Sequence, residues 1–181
     1  MAKYKVIYAD PPWSFNNKNT GGSMNSGAAN VYQVMNVEDI GKLPVQDIVA
    51  DDCVLFMWWV ASQPAEALQL VRSWGFTIKT MTGFVWVKKT VHGKDMFGMG
   101  NWTRAGSECC LIATRGKPKR ANAAIRSVVH AIIQEHSRKP DEVRDRIVQL
   151  VGDIPRLEMF CRYPAVGWDS WGNEIDSDIT L

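Results

Sequence analysis

The stretch Cys53–Val60, C-V-L-F-M-W-W-V, contains no charge and no turn-forming residue. A strand with one wet face alternates apolar and polar residues, and an amphipathic helix needs a longer run at 3.6-residue spacing. A short unbroken apolar run fits a strand covered on both faces, as in parallel sheets packed between helices.

The neighbouring segments agree with that reading. Lys5–Ala9, Phe76–Val87, Ser107–Thr114 and Ile154–Cys161 are predicted as further strands. Between them, Ala65, Leu68, Val71 and Trp74 follow helical spacing, with Ser62 as the expected cap and Gly75 as the terminator. Val37–Leu43 reads as a short helix ended by Pro44. Pro140 is expected to open a last helix with Val143, Ile147 and Leu150/Val151 on one face. Strands alternating with helices predict one α/β domain over residues 1–181, with a mostly parallel sheet and helices on both faces. In such sheets ligands bind beyond the carboxyl ends of the strands.

Two long segments lack apolar periodicity. Asn16–Asn30 is rich in Asn, Gly and Ser, and Thr90–Arg104 carries several glycines. Both are read as functional loops. The region after Cys161, Tyr163–Leu181, reads as an aromatic and acidic tail.

Composition sets outer bounds. Hydrophobic residues are 46% of the 181, charged residues 22%, and no apolar run approaches membrane-spanning length. The N-terminus lacks a signal-peptide pattern, so a cytoplasmic location is expected. Cys53, Cys109, Cys110 and Cys161 form no C-x-x-C pair, and three of them sit in apolar runs, where free thiols behave as small hydrophobes. With only His92, His130 and His136 besides, no metal site is expected. Net charge is +2, yet Ala67–Gln134 holds eleven Lys/Arg against Asp95 and Glu108, while Glu135 onward holds ten acids against six bases. A basic middle in a near-neutral chain points to a local anionic partner.

The first predicted strand ends in Y-A-D-P-P-W-S-F, Tyr8 to Phe15. Two prolines fix the backbone around the Asp10 carboxylate and its neighbouring carbonyls. Held acceptors suit a ligand amino group, and an adjacent indole suits a flat ring. An exocyclic amine on a nucleobase is a poor nucleophile, because its lone pair is delocalised into the ring. Two acceptors on its hydrogens draw the nitrogen towards tetrahedral geometry and free that pair. The chemistry implied is transfer of an electrophilic group, most plausibly methyl, to a base that stacks on an aromatic face.

These residues, with N-V-Y-Q-V-M-N-V-E-D-I-G-K-L-P-V, L-F-M-W-W-V-A, F-V-W-V-K-K, G-N-W-T-R-A-G-S-E, H-S-R-K-P-D-E-V, R-L-E-M-F-C-R and W-D-S-W-G-N-E-I in that order, resemble the MT-A family of adenine N6-methyltransferases, in its bacterial and phage branch. The resemblance covers nearly the whole chain. It implies S-adenosylmethionine as methyl donor and a permuted Rossmann-like class I methyltransferase fold, the catalytic strand preceding the cofactor-binding strand. Asp10, Pro11, Pro12 and Trp13 match the family's catalytic motif, Asp10 also contacting the donor. Trp13 and Tyr32 are expected to frame a flipped adenine, and Trp86, Lys88 and Arg104 to contact substrate. Arg162, Asn173 and Glu174 match donor-binding positions, Ser137 and Lys139 being weaker candidates beside the donor. The basic loop Arg115–Arg120 becomes a backbone contact if the partner is nucleic acid.

Three features depart from better-known members. Nine residues precede Asp10, so any upstream element holding the donor's adenine is expected to be supplied differently. Y-P-A-V follows Arg162 where others carry polar residues, and no appended recognition domain is evident. The resemblance implies methylation of DNA, with a phage or prophage source. Action on RNA adenosine, or a non-catalytic nucleic-acid-binding subunit of the same fold, stays open, as do monomer and homodimer.

Overall fold

A computed structural model of the chain describes residues 3–13, 35–100 and 102–181. Among the described residues seven strands form one sheet: β1 (Tyr4–Ala9), β2 (Val49–Trp59), β3 (Thr77–Lys89), β4 (Ser107–Arg115), β5 (Val128–Ile132), β6 (Arg156–Met159) and β7 (Asp169–Trp171). Their order is β5-β3-β4-β2-β1-β6-β7. β1 pairs in parallel with β2 and β6, β6 with β7, and β3 with β5. β4 alone among these strands runs backwards, antiparallel to both β2 and β3. The expected mostly parallel α/β sheet is present.

The apolar run that predicted a doubly covered strand does lie between two layers. Cys53, Leu55 and Met57 of β2 pack into a cluster with Ile40, Val45, Ala67, Leu70, Val71 and Trp74. Those residues come from α1 (Val37–Gly41), α2 (Val45–Ile48), α3 (Pro64–Ser73) and its C-cap Trp74. Val54, Phe56 and Trp58 point to the other face, packing with Val143, Ile147 and Val151 of α4 (Asp141–Val151). Each fully buried large apolar side chain contributes about 1.5–3 kcal/mol. The Trp74 indole N–H also donates to the Ile40 carbonyl (3.1 Å), so the indole is buried without an orphan donor.

Several boundaries differ from the sequence expectation. Ser62 does not cap α3; Gln63 holds the N-cap position without a side-chain bond, and Pro64 at the first turn sets the helical φ. α4 opens where expected, with Pro140 at its N-cap position. The cap that does form is Asn36 at α1, where Asn36 Oδ1 accepts from the Asp39 N–H (2.8 Å). α1 ends at Gly41, two residues short of the predicted end, and α2 follows Pro44 directly. β2 and β3 extend beyond their predicted ends, to Val49 and Lys89. β5 arises in a segment for which the sequence predicts no element, and β7 within the stretch read as an aromatic and acidic tail.

Candidate active site

The two-residue period of a strand decides which side chains can meet. Val6 and Tyr8 of β1 face the α4 layer, and so do Val54, Phe56 and Trp58 of β2, Phe84 and Trp86 of β3, and Cys110 of β4. Asp10, Lys88 and Glu108 share the parity of their strand neighbours and stand at the same end of the sheet. The carboxyl ends of β1 and β3 and the start of the reversed β4 meet there.

Lys139, in the segment leading into α4, joins them. Its ammonium donates to Asp10 Oδ2 (2.8 Å), lies 3.3 Å from Glu108 Oε2 and sits 5.6 Å from the centre of the Trp58 ring. Glu108 Oε1 in turn accepts from Lys88, whose ammonium lies over the Trp86 ring at 5.0 Å. Acid and base therefore alternate across four segments of the chain: Asp10 after β1, Lys139 before α4, Glu108 in β4 and Lys88 in β3. Burial pushes the Asp10 carboxyl above its ordinary value, Lys139 pulling against that shift and Glu108 adding to it. Burial also opposes charge on Lys139, but Asp10 and Glu108 outweigh it and hold its pKa above the usual lysine value. Burial works against an ionised Glu108 as well, yet Lys139 and Lys88 keep its pKa below the usual value. The Asp10 side chain is still 22% exposed, so a ligand reaches it.

The proline corner is rigid for an identifiable reason. The Trp13 N–H donates to the Pro11 carbonyl (2.8 Å), closing a three-residue turn around Pro12. The Trp13 indole N–H donates to the Trp58 carbonyl (3.1 Å), and its ring packs in the α1–α3 layer with 5% exposure. Behind the corner, the Trp58 indole N–H donates to the Tyr8 hydroxyl (2.7 Å).

A narrow cleft runs from Asp10 past Lys139, Glu158 and Phe160 to Arg162. Arg162 donates to the Ser137 carbonyl (3.2 Å), which also accepts from Lys139 (3.1 Å). Thus Ser137 contributes its backbone oxygen here, at a left-handed φ of 62°. Glu158 is buried under the cleft and gripped by Arg144 through two bonds of 2.6 and 2.8 Å. Asn173 and Glu174 are exposed just beyond β7, whose Trp171 is in register with Met159 and, through it, with Ala9. Two strand spacings separate them laterally from Asp10, about 10 Å.

The structure thus brings Asp10, Pro11, Pro12, Lys88, Ser137, Lys139, Arg162, Asn173 and Glu174 to one end of the sheet. Trp86 is there too, but buried, its indole N–H donating to the Ala131 carbonyl (2.9 Å) and its ring turned to Lys88. Arg104 lies out on the β3–β4 connection, its guanidinium 4.7 Å over the Phe97 ring. Tyr32 lies outside the described residues. Arg115–Arg120 is at the opposite end of the sheet, where the Lys117 N–H donates to Asp52 (2.7 Å). The length of β1, about 20 Å, separates it from the reaction end, so any backbone contact it makes is remote from Asp10. Sequence reasoning overlooked Trp58 and the Arg144–Glu158 pair; the one signal was a lone acid inside the apolar strand R-L-E-M.

The sequence pattern of MT-A70 matches residues 4–174. A Type II methyltransferase, M.MunI, from Mycoplasma sp is 36% identical across 96% of this chain and 78% of its own length. The chain belongs to the MT-A70 family. The human N(6)-adenosine-methyltransferase catalytic subunit METTL3 is 25% identical over 97% of this chain. An Arabidopsis thaliana N(6)-adenosine-methyltransferase MT-A70-like protein is 25% identical over a similar share. This MT-A70 chain spans under a third of the length of those two relatives, 29% and 24%. Among its described residues, no helix is long and apolar enough to cross a membrane.

Proposed function

We propose that the chain transfers a methyl group from S-adenosylmethionine to the N6 amine of adenine in DNA. The observation that carries this reading is the buried but reachable Asp10 carboxylate at the end of β1, fixed by Lys139 behind a proline corner. Pro11 spends its carbonyl on Trp13, which leaves the Asp10 carboxylate and the Pro12 carbonyl to accept from the target amine.

The residues present fit the donor. A zwitterion with a sulfonium, an amino-acid end and a ribose calls for a carboxylate, a cation and hydroxyl acceptors. The cleft from Asp10 to Arg162, with Ser137 beside it and Asn173 and Glu174 beyond β7, supplies that set. When bound, the donor supplies an electrophilic methyl. Asp10 holds the amine and the neighbouring positive charge, Arg162 takes the amino-acid end, and Asn173 and Glu174 take the ribose. Positioning does most of the work, since a well-oriented pair of reactants gains several kcal/mol.

Trp13 anchors the corner on which the adenine rests, and Tyr32 and Lys88 belong to the base's surroundings. Trp86 steers Lys88, and Arg104 faces the nucleic-acid backbone. The target base must leave its stack, which costs a few kcal/mol in a duplex. DNA is favoured as substrate because the Type II methyltransferase matches over most of both chains, whereas the adenosine methyltransferases match over a minor part of theirs.

The test is transfer from labelled donor to matched DNA and RNA oligonucleotides, followed by nucleoside analysis. N6-methyladenine in DNA is expected. Asp10→Ala is expected to abolish transfer while the protein stays folded. Transfer by that variant refutes the role of Asp10, and transfer confined to RNA refutes the substrate assignment.

A further inference from the structure

The connection between β3 and β4 is a built hairpin. The Met96 N–H donates to the Lys88 carbonyl (2.9 Å), the Lys88 N–H to the Gly106 carbonyl (2.8 Å), and Gly98 and Ala105 exchange bonds of 2.9 and 3.2 Å. The two arms approach so closely that a Cβ on Gly98 would stand 2.7 Å from the Ala105 carbonyl oxygen, closer than atoms tolerate. Beyond that clasp the hairpin presents apolar side chains to solvent: Phe97 is 74% exposed, Met99 81% and Trp102 fully. Trp102 also holds a left-handed φ of 66°, a conformation that bulky residues seldom adopt.

A fully exposed Trp and Met on a hydrogen-bonded hairpin call for a partner. The charge around them selects its class. Residues 88–104 carry Lys88, Lys89, Lys94 and Arg104 against Asp95; with Lys88 paired to Glu108 and Lys89 to Asp95, the positive charge offered to an anion is that of Lys94 and Arg104. The hairpin springs from the strand ends that hold Lys88 and Glu108, so it stands beside Asp10. Separate apolar prongs amid basic groups suit insertion between bases, where Phe, Leu, Ile and Met wedges unstack a step. A protein partner instead needs a continuous face of about 800 Å².

We propose that Met99 and Trp102 form a wedge that enters a DNA duplex and fills the space vacated when the target adenine turns out towards Asp10. The proposal rests on the methyl-transfer reading above. Arg104, stacked on Phe97, keeps its charge outward at the shoulder of the wedge, level with the phosphates. The wedge holds the stack open, so its loss penalises extrusion from a duplex and leaves a strand that is already single little affected.

The experiment compares the wild-type chain with Trp102→Ala, Met99→Ala/Trp102→Ala and Trp102→Phe. Single-turnover methyl transfer is measured on one adenine strand, alone and in duplex, and extrusion is read separately on matching strands that carry fluorescent 2-aminopurine, which lacks the N6 amine, at the target position. The double variant is expected to lower the ratio of duplex to single-strand rates at least tenfold and to quench the duplex 2-aminopurine signal, with Trp102→Phe retaining most of both. An equal loss on both substrates, or none, overturns the wedge. So does a wild-type chain that methylates single strands but shows no duplex signal, and in that case the methyl-transfer reading stands. No transfer to any adenine polymer, with a wedge-dependent duplex signal, sinks that reading and keeps the wedge. Variants unchanged on DNA that dissociate a wild-type oligomer in light scattering assign the prongs to a protein interface and overturn the proposal.

Discussion

Lys139→Met removes the ammonium from between Asp10 and Glu108 while nearly preserving side-chain length. The lysine side chain is only 10% exposed and lies 2.8 and 3.3 Å from the two carboxylates. Removing one partner of a buried ion pair costs about 3–5 kcal/mol, because the remaining charge is left uncompensated. Glu108 keeps Lys88, so Asp10 carries most of that cost. The cost must also depend on pH, with a definite sign. Without Lys139, the folded-state pKa of Asp10, already raised by burial, climbs further above its unfolded value near 3.8. Below pH 4 Asp10 is protonated in both states, so the stability deficit is small. The unfolded chain is common to both proteins, so the deficit grows by about 1.4 kcal/mol per pH unit only between the raised folded pKa of Asp10 in the wild type and the still higher one in the variant. The deficit levels off at about 3–5 kcal/mol once the variant's folded carboxyl ionises as well. On the alkaline side, the raised pKa of Lys139 keeps its ammonium charged in the wild-type chain up to about pH 10.5. Urea unfolding at a series of pH values reads this directly, as a midpoint shift of roughly 1–2 M at pH 8 that shrinks towards pH 4. Adding Asp10→Asn to the variant should flatten the pH dependence. A deficit equal at pH 4 and pH 8 would mean that Lys139 acts by packing on Trp58, and the ion-pair account of the site would fail.

Two further perturbations probe the floor and the far edge of the cleft. Arg144→Ala strands the buried Glu158 and is expected to cost about 3–5 kcal/mol, roughly 6–20 °C in scanning calorimetry, with Glu158→Gln recovering at least half. A change below about 2 °C would show the pair to be well solvated. Gly172→Ala places a Cβ 2.2 Å from the Cys161 carbonyl oxygen and must displace the turn carrying Asn173 and Glu174. Donor binding by calorimetry should weaken roughly tenfold, a loss of about 1.4 kcal/mol. An unchanged Kd would remove Asn173 and Glu174 from the donor site.

Much of this architecture was legible because its signals are local. β2 announced itself through an apolar run, and α3 and α4 through spacing on one face. β5 escaped because an edge strand needs little apolar surface; of V-V-H-A-I only Val129 is buried. β7 is three residues long, too short for any period to register. In the site, D-P-P-W was readable because prolines constrain their own neighbourhood. The partner of Asp10 was not, since 129 residues separate it from Lys139 and nothing local couples them. The aromatic residues show the same limit. Trp13 and Trp86 were visible as large rings near polar residues, but whether each faces a cleft or a core depends on how the layers stack.

The direction of β4 has a consequence for how such a protein can change. Parallel neighbours must be joined by a long crossover that packs on the sheet. One reversed strand turns the β3–β4 connection into a hairpin that touches the sheet only at its base. It can lengthen, shorten or exchange its tip without disturbing either helical layer. The fold therefore keeps a replaceable port beside a fixed reaction centre, so that what is contacted can drift while the chemistry at Asp10 stays put.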